Sequence, residues 1–203
     1  MNRAASVVTL VLLAGLGMGA TYLVHHTSAA RIATEQRLID SRTLLDMLPP
    51  DSYDNQPLEQ PLALDNIALA NSTLLGGYLA TKTGQPSAVL LRSQTVGYTS
   101  TIELLVAIDA NGKLLGVKTL KQAETPGLGG RLADWPNAWL QLFTGKSRTD
   151  PADTDWALKK DQGQFDQMAG ATTTSRAVIN AVHEALRYFD EHRQQWVGSS
   201  VHE

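Results

Sequence analysis

Cysteine is absent from all 203 residues, which excludes disulfides, thiolate metal ligands and a cysteine nucleophile. A basic excess is missing too. Seventeen Lys and Arg stand against 20 Asp and Glu, a net charge of −3, which argues against a nucleic-acid surface. Histidine is scarce, at positions 25, 26, 183, 192 and 202. His183-Glu184 opens like a zincin helix, but Arg187 stands where HExxH needs its second histidine. His183 therefore reads as an ordinary helix-surface or boundary residue. No GxSxG elbow and no P-loop occur. Gly127-Leu128-Gly129-Gly130 fails to complete GxGxxG because position 132 is leucine, which argues against a Rossmann dinucleotide site. Neither a metal site nor a general acid or base is expected. Internal repeats are lacking as well.

What is present begins with residues 4–24, "AASVVTLVLLAGLGMGATYLV", 21 uncharged residues. That is about the length of a membrane-crossing helix. The run exceeds the roughly 7–15 residues of a signal-peptide core, and only Arg3 precedes it, so a retained anchor is favoured over a cleaved leader. Gly15 and Gly19 form a GxxxG pair, the usual glycine enrichment of membrane helices or a face for another helix. Arg3 lies on one side, and Arg31, Arg37 and Arg42 on the other, so charge leaves the orientation open.

Residues 31–48 read as a helix stopped by Pro49-Pro50, with Leu38, Leu45 and Leu48 as its apolar stripe. Residues 51–66 are polar and proline-containing, hence a loop. From residue 67 short β-favouring runs alternate with turns. The clearest pair, 102–108 and 114–120, flanks Asn111-Gly112, a strong hairpin signal. Residues 135–143 predict a short helical segment with Trp139, Leu140 and Phe143 inward, and residues 146–168 a polar, turn-rich stretch. Val178, Val182, Ala185, Leu186 and Phe189 then recur at the spacing of a core-facing helix. The expected fold is α+β: an anchor (1–30), a juxtamembrane helix and linker (31–66), and one domain (67–203) with a small, largely antiparallel sheet and flanking helices.

Two segments stand out chemically. In Glu124-Thr125-Pro126-Gly127-Leu128-Gly129, glycines either side of a leucine let backbone approach a flat ligand, while the plainer reading is a tight turn with a packed Leu128. In Gly170-Ala171-Thr172-Thr173-Thr174-Ser175, four hydroxyls precede the last helix. One of them is expected to serve as N-cap. The same helix start also favours a phosphate, through its free N–H groups and its dipole.

"ETPGLGG", "LKKDQGQFDQMAGATTTSRAVINAV" and the single N-terminal anchor together resemble the FMN-binding G subunit of the Rnf/Rsx ion-translocating electron transport complex, over essentially the whole chain. The C subunit of the sodium-translocating NADH:quinone reductase shares the domain and is the second choice. The resemblance implies FMN joined through its phosphate to a threonine in a pattern like Asp-x-x-Ser/Thr-Gly-Ala-Thr. That pattern falls on Asp166, Gly170, Ala171 and Thr172, with Ala169 departing at the Ser/Thr position. Thr172 is then the phosphoryl acceptor and Thr174 the runner-up, while Glu124, Thr125, Gly127 and Leu128 are flavin contacts. It further implies a flavin transferase that makes the ester from FAD, other subunits of the complex as partners, and a lipid-embedded single-pass anchor in the bacterial inner membrane. The domain would face the periplasm, and electrons would pass within a translocase coupling ferredoxin and NAD to ion movement. The rival from another class is a cofactor-free anchored interaction module in which the threonines only cap a helix.

Overall fold

The computed structural model describes residues 13–15, 17–18 and 45–198. Residues 13–15 and 17–18 are helical. The rest of the expected anchor, the following helix up to residue 44, His25, His26 and His202 lie outside the described residues. Among the described residues no helix is long and apolar enough to cross a membrane. The chain divides into two units, Met1–Leu45 and Asp46–Glu203. The sheet and the long helix that packs on it belong to the second.

Five strands, β1 (Ile67–Ala68), β2 (Ser72–Lys82), β3 (Gln85–Val96), β4 (Thr101–Asp109) and β5 (Leu114–Lys121), form one antiparallel sheet in chain order. The β4–β5 hairpin forms where Asn-Gly predicts it. Asp109 accepts the N–H groups of Asn111 and Lys113 through its side chain, both at 2.8 Å. Gly112 takes a φ of +85°, in the left-handed region that a side chain would strain. Ile108 pairs with Leu114 across the turn. In β4, Ile102, Leu104, Val106 and Ile108 share one face and are fully buried. The opposite parity, Leu105 and Ala107, is buried as well, so both faces are covered. On that second face Met47 packs over Gly116, the partner of Ala107.

Helix α1 (Thr172–Val197) covers the first face. Val178, Val182, Ala185, Leu186 and Phe189, the stripe expected from periodicity, have no exposed surface. Each large apolar side chain so placed contributes about 1.5–3 kcal/mol, which holds the helix start in one position relative to the sheet. No other α-helix occurs among the described residues from 46 onwards.

Two local expectations need correction. Residues 135–143 are not a helix throughout: only Leu140–Phe143 forms a turn, of 3-10 type, and Trp135 is exposed. Asn137 accepts the N–H groups of Trp139 and Leu140 through its side chain, as an N-cap does, so the helical turn starts only after it. Leu140 and Phe143 do point inward, with Trp139 partly buried. The polar stretch 146–168 also supplies core. Trp156 and Phe165 are buried and pack with Phe143, ring centroids 5.0–6.2 Å apart. His183 stacks on Trp156 and bonds Asp153 at 2.7 Å, a boundary position as read. Burial outweighs the Asp153 contact and holds its pKa below the usual histidine value.

Candidate functional site

Three segments far apart in sequence meet at one end of the sheet: the β3–β4 loop (97–100), the loop leaving β5 (122–130), and the start of α1. Between them lies a cavity of about 170 Å³, lined by Tyr98, Glu124, Thr125, Leu128, Gly129 and residues 170–174.

The four hydroxyls have four different surroundings. The N-cap is Ala171, which offers no side-chain cap bond, so none of them occupies the capping position expected. Thr172, the first helical residue, donates to Gln167 Oε1 at 2.8 Å in an exposed setting. Thr173 is exposed. Thr174 is buried and donates to Glu124 Oε2 at 2.5 Å. Ser175 is buried, accepts the Met168 N–H at 2.9 Å and donates to the Ala171 carbonyl at 2.8 Å, tying the 168–171 turn to the helix. The cap failed because the helix starts at Thr172, which leaves Ala171 at the N-cap and places all four hydroxyls inside the helix. No acidic residue lies in the first turn of α1, so the positive end of its dipole is available to an anion.

Glu124 is buried and organises the opposite wall. Its Oε1 accepts the N–H groups of Thr99 and Ser100 at 3.1 and 2.9 Å and the Ser100 hydroxyl at 3.1 Å. Its Oε2 accepts the Tyr98 N–H at 3.2 Å besides the Thr174 hydroxyl. Burial alone would raise the pKa of this carboxyl. The hydrogen bonds from Thr174, Thr99, Ser100 and Tyr98 outweigh it and hold the group below the ordinary glutamate value. Close packing explains two glycines here. A Cβ on Gly97 would sit 2.5 Å from Glu124 Oε1, and one on Gly129 would sit 2.8 Å from Thr174 Oγ1.

The 124–130 loop closes on the Thr125 carbonyl, which accepts the N–H groups of Leu128 and Gly130 at 3.1 and 2.9 Å. Gly127 has a φ of +77°. Leu128 is not the packed side chain of a plain tight turn: it is 41% exposed and leans over Gly170. Of the residues singled out in the sequence, Glu124, Thr125, Leu128, Gly170, Ala171 and Thr172 line the cavity; Gly127 shapes the loop without lining it. Asp166 stands outside it, its carboxylate 2.6 Å from Lys159 Nζ and its carbonyl accepting Trp139 Nε1 at 2.7 Å. Sequence reasoning missed Tyr98, which is 72% exposed at the cavity. The available signal was an aromatic following glycine in a four-residue loop between apolar strands.

Residues 97–187 match the FMN-binding domain family. The G subunit of the ion-translocating oxidoreductase complex of Pseudomonas aeruginosa is 47% identical over 191 residues, spanning 91% of this chain and 87% of that one. The chain belongs to this G-subunit family. The G subunit of Photorhabdus laumondii is 40% identical over 183 residues, covering 89% of this chain and 87% of its own. The solved structure of Shewanella oneidensis NqrC is 24% identical, covers 76% of each chain and has a TM-score of 0.49. The family domain begins at Gly97 and runs to Arg187. It therefore takes in the Tyr98 loop, β4, β5, the whole cavity lining and the first turns of α1, while β1 to β3 precede it.

Proposed function

We propose that the chain is the flavoprotein subunit of a membrane complex that couples electron transfer to ion translocation, carrying FMN as a phosphoester on Thr172. The carrying observation is the convergence of the Gly170-Ala171-Thr172 segment and the 124–129 loop on one cavity, with the Thr172 hydroxyl on its exposed side and the Thr174 hydroxyl buried against Glu124.

The residues present fit the group. Gly129 and Gly170 let Thr174, Glu124 and Leu128 close in on the backbone around the cavity, where a Cβ would collide with them. The start of α1 presents N–H groups and positive dipole to a phosphate, and Leu128 and Tyr98 offer exposed apolar surface to a flat ring. The cavity is smaller than the roughly 300 Å³ at which pockets enclose a ligand, so it seats part of the cofactor and leaves an edge open to partner subunits. FMN supplies one- and two-electron chemistry; the protein supplies position and charge.

Attachment needs a second protein, a flavin transferase using FAD. The Thr172 oxygen forms the new bond to the flavin-side phosphorus, the pyrophosphate linkage breaks, AMP leaves, and the hydroxyl proton passes to a base of the transferase. Residues 4–24 anchor the chain in the lipid of the inner membrane, and the domain faces the periplasm. There an ester removes the dissociation equilibrium of a cofactor that is hard to replace. Electrons pass to and from other subunits of the complex, which couples ferredoxin and NAD; the chain by itself is a carrier without turnover.

Co-expression with the transferase, followed by denaturing electrophoresis and peptide mass mapping, tests this. A flavin-fluorescent band should persist in the wild type and in Thr174→Ala and vanish in Thr172→Ala. Loss in Thr174→Ala with retention in Thr172→Ala overturns the register, and a wild type without a band favours the cofactor-free module.

A further inference from the structure

Glu124 is placed oddly for a residue whose task is to touch a ligand. Both of its oxygens are already taken, by three backbone N–H groups and the hydroxyls of Thr99, Ser100 and Thr174. Every one of these donors is neutral. They come from two directions, the β3–β4 loop and the first turn of α1, so the carboxylate spans the two walls of the cavity. Gly97 and Gly129 pack so tightly around it that neither tolerates a Cβ in place. An ionised group in such a shell is stabilised by dipoles and leaves its net charge in the wall of the cavity.

We propose that Glu124 is a positioning residue that latches the Tyr98 loop to the start of α1, and that its charge holds the reduction potential of a flavin on Thr172 below the value a neutral wall would give. The proposal rests on the flavin reading and assigns Glu124 a task other than direct contact. Reduction adds negative charge to a flavin. A fixed negative charge in the buried wall of the cavity opposes that gain, and does so more strongly than it would in bulk water. The latch contributes in a second way, because Tyr98 and Thr174, its two ends, both line the cavity.

Two variants separate charge from mere looseness. Glu124→Gln keeps the side-chain shape and one acceptor oxygen while removing the charge. Thr174→Val keeps the charge and removes a donor that disperses it. Midpoint potentials of the flavin-loaded proteins are read by dye-equilibrated reductive titration at pH 8, where the carboxyl is ionised. The expected result is a shift to more positive potential in Glu124→Gln and to more negative potential in Thr174→Val. Loosening of the site alone would move both the same way, and shifts of one sign, or no shift in either, overturn the proposal. Should Glu124→Gln fail to fold, the negative shift in Thr174→Val remains required, and its absence overturns the proposal. A wild type that takes up no flavin fails the underlying reading instead, and that failure shows before any potential is measured.

Discussion

Leu128 lies directly over Gly170: a Cβ built on Gly170 would stand 2.7 Å from Leu128 Cδ2. This contact joins the tips of two loops more than 40 residues apart and closes one side of the cavity. Gly170 also has a φ of +71°. Gly170→Ala thus meets two penalties, the backbone one being about 1–2 kcal/mol. Urea denaturation should show Gly170→Ala destabilised by more than that amount. In a Leu128→Ala background the same substitution should cost less, because the steric part is relieved while the backbone part remains. Equal costs in both backgrounds would mean that the loops do not touch.

Thr172 and Thr174 should separate function from stability. Thr174→Val removes a buried hydrogen bond to a charged group, worth about 1.5–3 kcal/mol, and should lower the unfolding midpoint while leaving flavin attachment intact. Thr172→Val removes an exposed contact with Gln167, so its stability should stay within roughly 0.5 kcal/mol of wild type while attachment is lost.

Glu124 should be visible in acid. Its folded-state pKa lies below the ordinary glutamate value, so between the two the unfolded chain binds more protons. The carboxyl's contribution is therefore fully present above the unfolded value, about 4.3, and is lost as pH falls through the lower folded value. Urea midpoints measured from pH 7 to pH 3 should fall less steeply in Glu124→Gln than in wild type over that acid window. Parallel curves would place the acid sensitivity elsewhere.

Orientation can be read directly because the chain has no cysteine. Asn111→Cys puts one thiol on the exposed β4–β5 turn. In intact cells with a permeabilised outer membrane, a membrane-impermeant maleimide should label this variant without disrupting the inner membrane. Labelling only after inner-membrane lysis would place the domain on the cytoplasmic side.

Periodicity made some of this molecule readable in advance. The stripe on α1 and the Asn-Gly hairpin depend on neighbours within a few residues, and both are where the sequence puts them. Local pattern singles out the Gly-Ala-Thr and Glu-Thr-Pro-Gly-Leu-Gly segments only one at a time; their meeting is implied by the family resemblance alone, which gives both to one flavin. That meeting depends on the pairing of β3, β4 and β5, which brings residues 98, 124 and 174 to the same end of the sheet. The capping expectation failed because the helix begins one residue earlier than the hydroxyls need, with Ala171 at the N-cap, and the Thr174 hydroxyl goes instead to Glu124, 50 positions away. Tyr98 escaped notice because its significance lies in where the loop ends up, which no local pattern encodes. Trp156 and Phe165 were hidden in a polar stretch for a similar reason, since isolated aromatics carry no period.

The mounting of Thr172 has a mechanical consequence. It belongs to the opening turn of the most deeply seated helix, followed at once by buried Thr174, Ser175, Val178 and Ile179, and Ser175 straps down the turn before it. An ester formed there, as proposed above, would hang from a firmly seated helix start and not from a hinged segment. A cargo fixed there cannot swing on a flexible arm, as a lipoyl group does on its long lysine tether.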